Sequence, residues 1–96
     1  MAINYVFCNQ VLDYIGSDDQ SNWYVGIATY PKDRLFKDHG VNEHGVWIYN
    51  SIPMSETDAR DTEKHLLEKH PFKGDVGGGD HPQYVYAYKI TPWTRQ

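Results

Sequence analysis

Cysteine, long apolar runs and positive charge are all scarce in this chain of 96 residues. The single cysteine, Cys8, has no partner for an internal disulfide, and no Cys/His spacing resembles a zinc site. We interpret Cys8 as a small buried hydrophobic residue. No apolar run approaches the roughly 20 residues of a membrane span, and the first residues lack the features of a signal peptide. We therefore expect a cytoplasmic protein with no membrane partner.

The formal charge of −4 excludes a protein that coats nucleic acid by bulk electrostatics. The first twenty residues contain no Lys or Arg. Any phosphate site must therefore be local. The least acidic segment is 31–40, whose three basic and two acidic residues are Lys32, Arg34, Lys37, Asp33 and Asp38.

Hydrophobic residues make up 40% of the chain and aromatic residues 15%, which is typical of a packed fold rather than a disordered one. The length suits one domain, spanning residues 1–96. Capping residues, proline positions and apolar periodicity predict three helices and three strands. The helices are predicted at 3–15, 31–39 and 55–69, and the strands at 23–29, 45–52 and 84–90. This order favours an α+β fold with a small three-stranded, mainly antiparallel sheet flanked by helices.

Tyr24 and Arg34 flank the point where the first strand passes into a short helix. Pro31 suits a first helical turn and not a sheet interior, so the strand ends before it. Arg34 then lies one turn into the helix, presented near Tyr24. A phenol beside a fixed guanidinium suggests a site for an anion.

Glu63 is a carboxylate on the apolar face of the third predicted helix, four residues from both Ala59 and Leu67. A buried unpaired charge is costly, so the position calls for a metal ion or an arginine. Alternatively, Glu63 lies at the edge of the stripe, where it reaches water or pairs with Arg60.

Taken together, these residues resemble the GIY-YIG nuclease superfamily. The resemblance is carried by Tyr24-Val25-Gly26, by Arg34 ten residues after Tyr24, by His39 at the end of the helix, and by Glu63 on the later helix. It covers residues 23–71.

The resemblance implies metal-dependent hydrolysis of DNA phosphodiesters. Tyr24 would line the site, Arg34 would be the catalytic arginine, and Glu63 would hold one divalent ion, Mg²⁺ or Mn²⁺. His39 would match a position that is histidine or tyrosine in the family, acting as an acid or base.

The Gly-Ile-Tyr strand that usually opens the family is missing, and Leu12-Asp13-Tyr14 stands at that spacing. We hypothesise that the C-terminal strand takes its place beside residues 23–28. Tyr86, or its neighbours Tyr84 and Tyr88, would then supply the missing tyrosine.

A glycine run, Gly77-Gly78-Gly79, follows the third helix. It is either a flexible connector or a backbone that approaches phosphate, with Asp80 or His81 at its rim. Two functions stay open: a DNA endonuclease domain, and a catalytically inactive GIY-YIG-like binding or interaction module.

Overall fold

The computed structural model describes residues 2–74 and 81–96. Its main elements in chain order are α1 (Tyr5–Ile15), β1 (Trp23–Ala28), α2 (Pro31–Asp33), a π-helical turn (Arg34–Asp38), β2 (Trp47–Tyr49), α3 (Glu56–Lys69) and β3 (Tyr84–Lys89). None of the helices in these two ranges is both long and apolar enough to cross a membrane. The glycine run 77–79 and Asp80 lie outside the described residues.

The last strand occupies the centre of the sheet. β3 pairs antiparallel with β1 on one side and with β2 on the other. In this register Tyr24 faces Tyr88, and Gly26 faces Tyr86. The predicted α+β fold with a three-stranded antiparallel sheet is confirmed, as is the predicted pairing of the C-terminal strand with residues 23–28.

Local capping explains where the two long helices begin and end. The side chain of Asn4 accepts a hydrogen bond from the Phe7 amide at the start of α1, and Gly16 ends that helix with a φ of 63°. Ser55 caps α3 by accepting from the Asp58 amide at 3.1 Å, as predicted.

Two clusters of apolar side chains cover opposite faces of the sheet. α1 and α3 pack against Val25 and Val85 on one face. Cys8 belongs to this cluster, where burial raises the pKa of its thiol to about 11, which fits a small buried hydrophobic residue. On the other face, Leu35 packs against Tyr86 and Tyr88. The sheet therefore separates a helical core from a tyrosine-rich one.

The second strand is shorter than predicted. The sequence pattern extends over 45–52, but β2 spans only Trp47–Tyr49. Asn50 accounts for the difference, because its side-chain oxygen accepts a hydrogen bond from the Val85 amide at 2.7 Å. Its amide nitrogen donates to the carbonyl of Ile52 at 2.8 Å. The Asn50 side chain thus forms the hydrogen bond to β3 that a backbone carbonyl of β2 would form if the strand continued.

The predicted helix over 31–39 is present with a wider final turn. The amide of Arg34 donates to the carbonyl of Tyr30 at 3.2 Å, an ordinary helical bond, whereas the amide of His39 donates to the carbonyl of Arg34 at 2.9 Å. The five-residue spacing of this second bond is that of a π-helix. Gly40 ends the segment with a φ of 67°, as predicted.

Candidate functional site

Tyr86 lies at the centre of the candidate site because Gly26 leaves room for it. The two residues are cross-strand partners on the face that carries the tyrosine-rich core. A Cβ atom at position 26 would lie 2.5 Å from the Tyr86 hydroxyl oxygen, closer than any real contact. Only glycine lets the phenol ring lie flat across β1.

His39 contacts the Tyr86 hydroxyl from the end of the π-helical turn. Its Nε2 atom lies 2.7 Å from the Tyr86 oxygen, and its Nδ1 atom lies 2.6 Å from the carbonyl oxygen of Arg95. Because a carbonyl only accepts, Nδ1 carries the proton and Nε2 accepts from the phenol. Burial lowers the pKa of His39, and the nearby Arg34 charge lowers it further. The imidazole is therefore neutral near pH 7, and the lone pair of Nε2 accepts the hydrogen bond from the Tyr86 hydroxyl.

Tyr24 completes an aromatic wall around the histidine. Its ring centroid lies 4.7 Å from that of His39 and 5.3 Å from that of Tyr88, nearly parallel to the second ring. The Tyr24 side chain is half-buried, so part of it faces the solvent. It marks the open edge of the cluster.

Arg34 approaches the same cluster from the π-helical turn. Its side chain is 40% exposed, and its Nε atom lies 3.3 Å from Oδ2 of Asp38. The guanidinium also acts on Tyr86, because its positive charge opposes the rise in the pKa of that phenol. Arg34 is therefore both near Tyr86 and accessible to an anion from outside.

Glu63 brings a carboxylate to this group from α3. The residue is only 1% exposed, so the alternative in which it reaches water is wrong. Arg60, one turn back, bonds Glu56 at 3.0 Å. Glu63 is close enough to Tyr86 for its negative charge to raise the pKa of the phenol.

Desolvation is the main reason why the pKa of Tyr86 rises, to about 12. Arg34 opposes this rise, whereas Tyr24 and Glu63 add to it. These three side chains thus act on the Tyr86 phenol, and His39 binds its oxygen directly. Tyr24, Arg34, His39 and Glu63 therefore all lie near enough to Tyr86 to bond it or to shift its pKa.

Other tyrosines at or near the predicted positions lie elsewhere. Tyr14, at the spacing of the missing first motif, sits on α1 with its ring 6.0 Å from Trp23, on the opposite face of the sheet. Tyr84 packs edge-on against Tyr49 at 5.8 Å. His81 is exposed, with Nδ1 3.1 Å from Glu56. Of the three candidate tyrosines on β3, Tyr86 and Tyr88 both contact the His39 ring, at 2.7 and 3.1 Å, and Tyr86 makes the shorter contact.

Arg95 contributes to the site and is not evident from the sequence, whereas Tyr88 is one of the predicted candidates. The Tyr88 hydroxyl donates to the Arg95 carbonyl at 3.1 Å, and the amide of Arg95 donates to the His39 carbonyl at 2.6 Å. The C-terminal residues thus hold His39 from behind. No sequence signal identifies a backbone carbonyl that plays this role, because every residue carries one.

Glu63 is the one residue that the sequence nominates as a metal ligand, and its side chain is buried. Mg²⁺ is commonly bound through one or two carboxylates while keeping several waters. Within residues 2–74 and 81–96, no group of three or more His, Cys, Asp and Glu side chains is placed to enclose a metal ion.

Comparison with known proteins adds no relative: no protein-family model, no curated protein and no solved structure matches this chain.

Proposed function

We propose that this chain is a GIY-YIG-like endonuclease domain that hydrolyses DNA phosphodiester bonds with one Mg²⁺ or Mn²⁺ ion. The observation that supports the proposal is the bond between His39 and Tyr86, with Tyr24, Arg34 and Glu63 near enough to shift the pKa of that phenol. These residues come from four separate segments of the chain. Simple packing does not require a guanidinium, a carboxylate and an imidazole at one place.

Arg34 would bind the scissile phosphate, because its guanidinium is fixed, always charged and partly open to solvent. A positive charge at this position stabilises the negative charge that develops on the phosphate oxygens. Glu63 would hold the divalent ion, which when bound polarises the phosphodiester.

Tyr86 and His39 would handle the proton of the attacking water. The phenol already donates to Nε2 of His39, so a proton taken up at Tyr86 can pass to the neutral imidazole. The Arg95 carbonyl holds the other ring proton in place. Tyr24, at the open edge, would orient the water.

The proposal is tested by nicking of supercoiled plasmid DNA with Mg²⁺ or Mn²⁺. We expect ion-dependent nicking by the wild-type protein. In Arg34→Ala the rate should fall by at least about 100-fold, since losing a contact that stabilises transition-state charge costs about that much. Lys64→Ala is the control, because Lys64 is an exposed cation on α3, outside the segment that carries Arg34. Equal nicking by Arg34→Ala and Lys64→Ala would remove Arg34 from the mechanism.

The burial of the cluster favours a second candidate, a catalytically inactive module of the same fold. Tyr86 is 0%, Glu63 1% and His39 4% exposed, as expected of a structural polar network. This candidate predicts no ion-dependent nicking by any form of the protein.

A further inference from the structure

Next to Arg34 lies a groove whose lining includes three tyrosine side chains. One cavity of about 500 Å³ has Tyr30, Tyr49 and Tyr84 among its lining residues. A smaller cavity of about 180 Å³ is lined by Arg34 and shares Tyr30 with the first, together with Thr29 and Asp33. The two cavities therefore form one groove that ends at the candidate phosphate-binding arginine.

The rings in this groove differ in how firmly they are held. Tyr49 is stacked on Trp47 at 5.7 Å, and Tyr84 meets Tyr49 edge-on at 5.8 Å, so both belong to a fixed wall. Tyr30 is 71% exposed. It lies two residues after the end of β1, and its backbone carbonyl accepts a helical hydrogen bond from the Arg34 amide. Its backbone is therefore anchored while its ring remains available to a ligand.

The charges along the groove suit a phosphodiester strand. Lys32 lines the larger cavity and Arg34 the smaller one, so a cation is present at each. Asp33 lines both cavities, but its carboxylate lies 3.8 Å from the ammonium of Lys37, which offsets its charge. Aromatic faces together with cations are typical of a surface that binds single-stranded nucleic acid.

We infer that this groove binds an unstacked base of the DNA strand whose phosphate lies at Arg34, with Tyr30 stacking on the base. The inference rests on the proposed function and adds a substrate class to it, namely DNA that is single-stranded or locally unpaired at the site. Inside a regular duplex both faces of a base are covered by its neighbours, so only an unstacked base can present a face to Tyr30.

The experiment measures binding without cleavage, by fluorescence anisotropy in EDTA. The probes are oligothymidine about 12 nucleotides long, within the usual footprint of such surfaces, the same sequence in a duplex, and oligouridine of the same length. We expect oligothymidine to bind more tightly than the duplex. Tyr30→Ala should weaken that binding about 5- to 100-fold, the range typical of one lost base–aromatic stack.

Two variants make the result specific. Tyr30→Phe keeps the aromatic face and should bind oligothymidine within about twofold of wild type. Tyr5→Ala removes another exposed tyrosine, 58% exposed on α1 across the sheet, and should leave binding unchanged. Weaker binding by Tyr30→Ala alone supports the groove, whether or not the protein nicks plasmids.

Other outcomes overturn the inference. If Tyr30→Ala binds oligothymidine as wild type does, or if duplex and single strand bind equally well, the groove does not take an unstacked base, even where plasmid nicking that depends on Arg34 upholds the nuclease. Tighter binding of oligouridine than of oligothymidine would assign the groove to RNA and contradict DNA as its ligand. Nicking without Tyr30-dependent binding would support the nuclease and contradict the groove. Tyr30-dependent binding without nicking would support the groove and contradict the nuclease.

Discussion

Glycine at position 26 decides whether the site can exist. The Tyr86 ring occupies the space where any other residue would place its Cβ, and the imidazole of His39 follows the position of that ring. The sequence identifies Gly26 as part of a motif. It does not show why the glycine is needed, because the reason is a cross-strand register set by residues sixty positions apart.

We expect Gly26→Ala to lower the free energy of unfolding by about 1–3 kcal/mol, because overpacking forces Tyr86 to move. Urea denaturation measures the change. The control is Gly26→Ala combined with Tyr86→Ala, in which the clash is absent. Its loss of stability should be smaller than the sum for the two single variants. Strict additivity would contradict the clash.

His39 should make stability depend on pH below neutrality. Its pKa is lowered in the folded protein, mainly by burial, from an ordinary value of 6.5. The unfolded chain therefore binds more protons than the folded one as pH falls through 6.5 and below, and the folded state loses stability over that range. His39→Gln should flatten the stability curve in this window, measured by urea denaturation between about pH 7 and pH 5. An unchanged slope would show that His39 is not buried as a neutral ring.

At the scale of elements, the sequence predicted helix ends correctly where the residues responsible lie close together in the chain. The ends of α1 and α3 follow from Asn4, Gly16 and Ser55, each of which acts within three or four residues. The length of β2 did not follow, because Asn50 ends the pairing through a contact with Val85, thirty-five residues away. Contacts of that range are not encoded in any short pattern.

The C-terminal segment after β3, residues 90–96 and here called the strap, contacts His39 and the turn before it. The Arg95 carbonyl accepts from Nδ1 of His39, while the Arg95 guanidinium donates to the Lys37 carbonyl at 2.9 Å. Gly40 lets the strap lie close, since a Cβ there would be 3.0 Å from Arg95. The strap explains how a single ring tautomer is maintained.

We expect a chain ending at Thr94 to lose that tautomer preference, because Nδ1 no longer faces the carbonyl of residue 95. The ¹⁵N chemical shifts of the His39 ring report the change, and plasmid nicking should slow with it. Arg95→Ala is the matched control, since it removes the guanidinium but keeps the carbonyl, and its His39 shifts should stay as in wild type. Identical ring shifts in the truncated chain and in wild type would exclude the strap as the group that fixes the tautomer.

At the scale of the whole molecule, the sheet lets residues distant in sequence meet. The central position of β3 places Tyr86 between β1 and β2, and α2 with its π-helical turn covers the same face with Arg34 and His39. The sequence identifies Arg34 and His39 as candidates and leaves three tyrosines of the last strand as alternatives: Tyr84, Tyr86 and Tyr88. The choice of Tyr86 over Tyr84 or Tyr88 required the register, because alternation puts all three on one face of the strand.

The acidic character of the molecule limits what the site can do alone. With a formal charge of −4, the chain has no broad electrostatic attraction for a duplex, so in the proposed function binding would come from Arg34 and its immediate surroundings. We therefore attribute any DNA affinity to local contacts that a few substitutions can remove.

The central claim is that the buried carboxylate of Glu63 and the exposed guanidinium of Arg34 serve one phosphodiester. The most direct measurement is the plasmid-nicking rate as a function of Mg²⁺ concentration for wild type, Glu63→Gln and Glu68→Gln, the last being an exposed glutamate on the same helix. The account predicts saturable Mg²⁺-dependent nicking by wild type and Glu68→Gln, and none by Glu63→Gln. Wild-type protein that does not nick at any Mg²⁺ concentration, or Glu63→Gln that nicks at the wild-type rate, would contradict it.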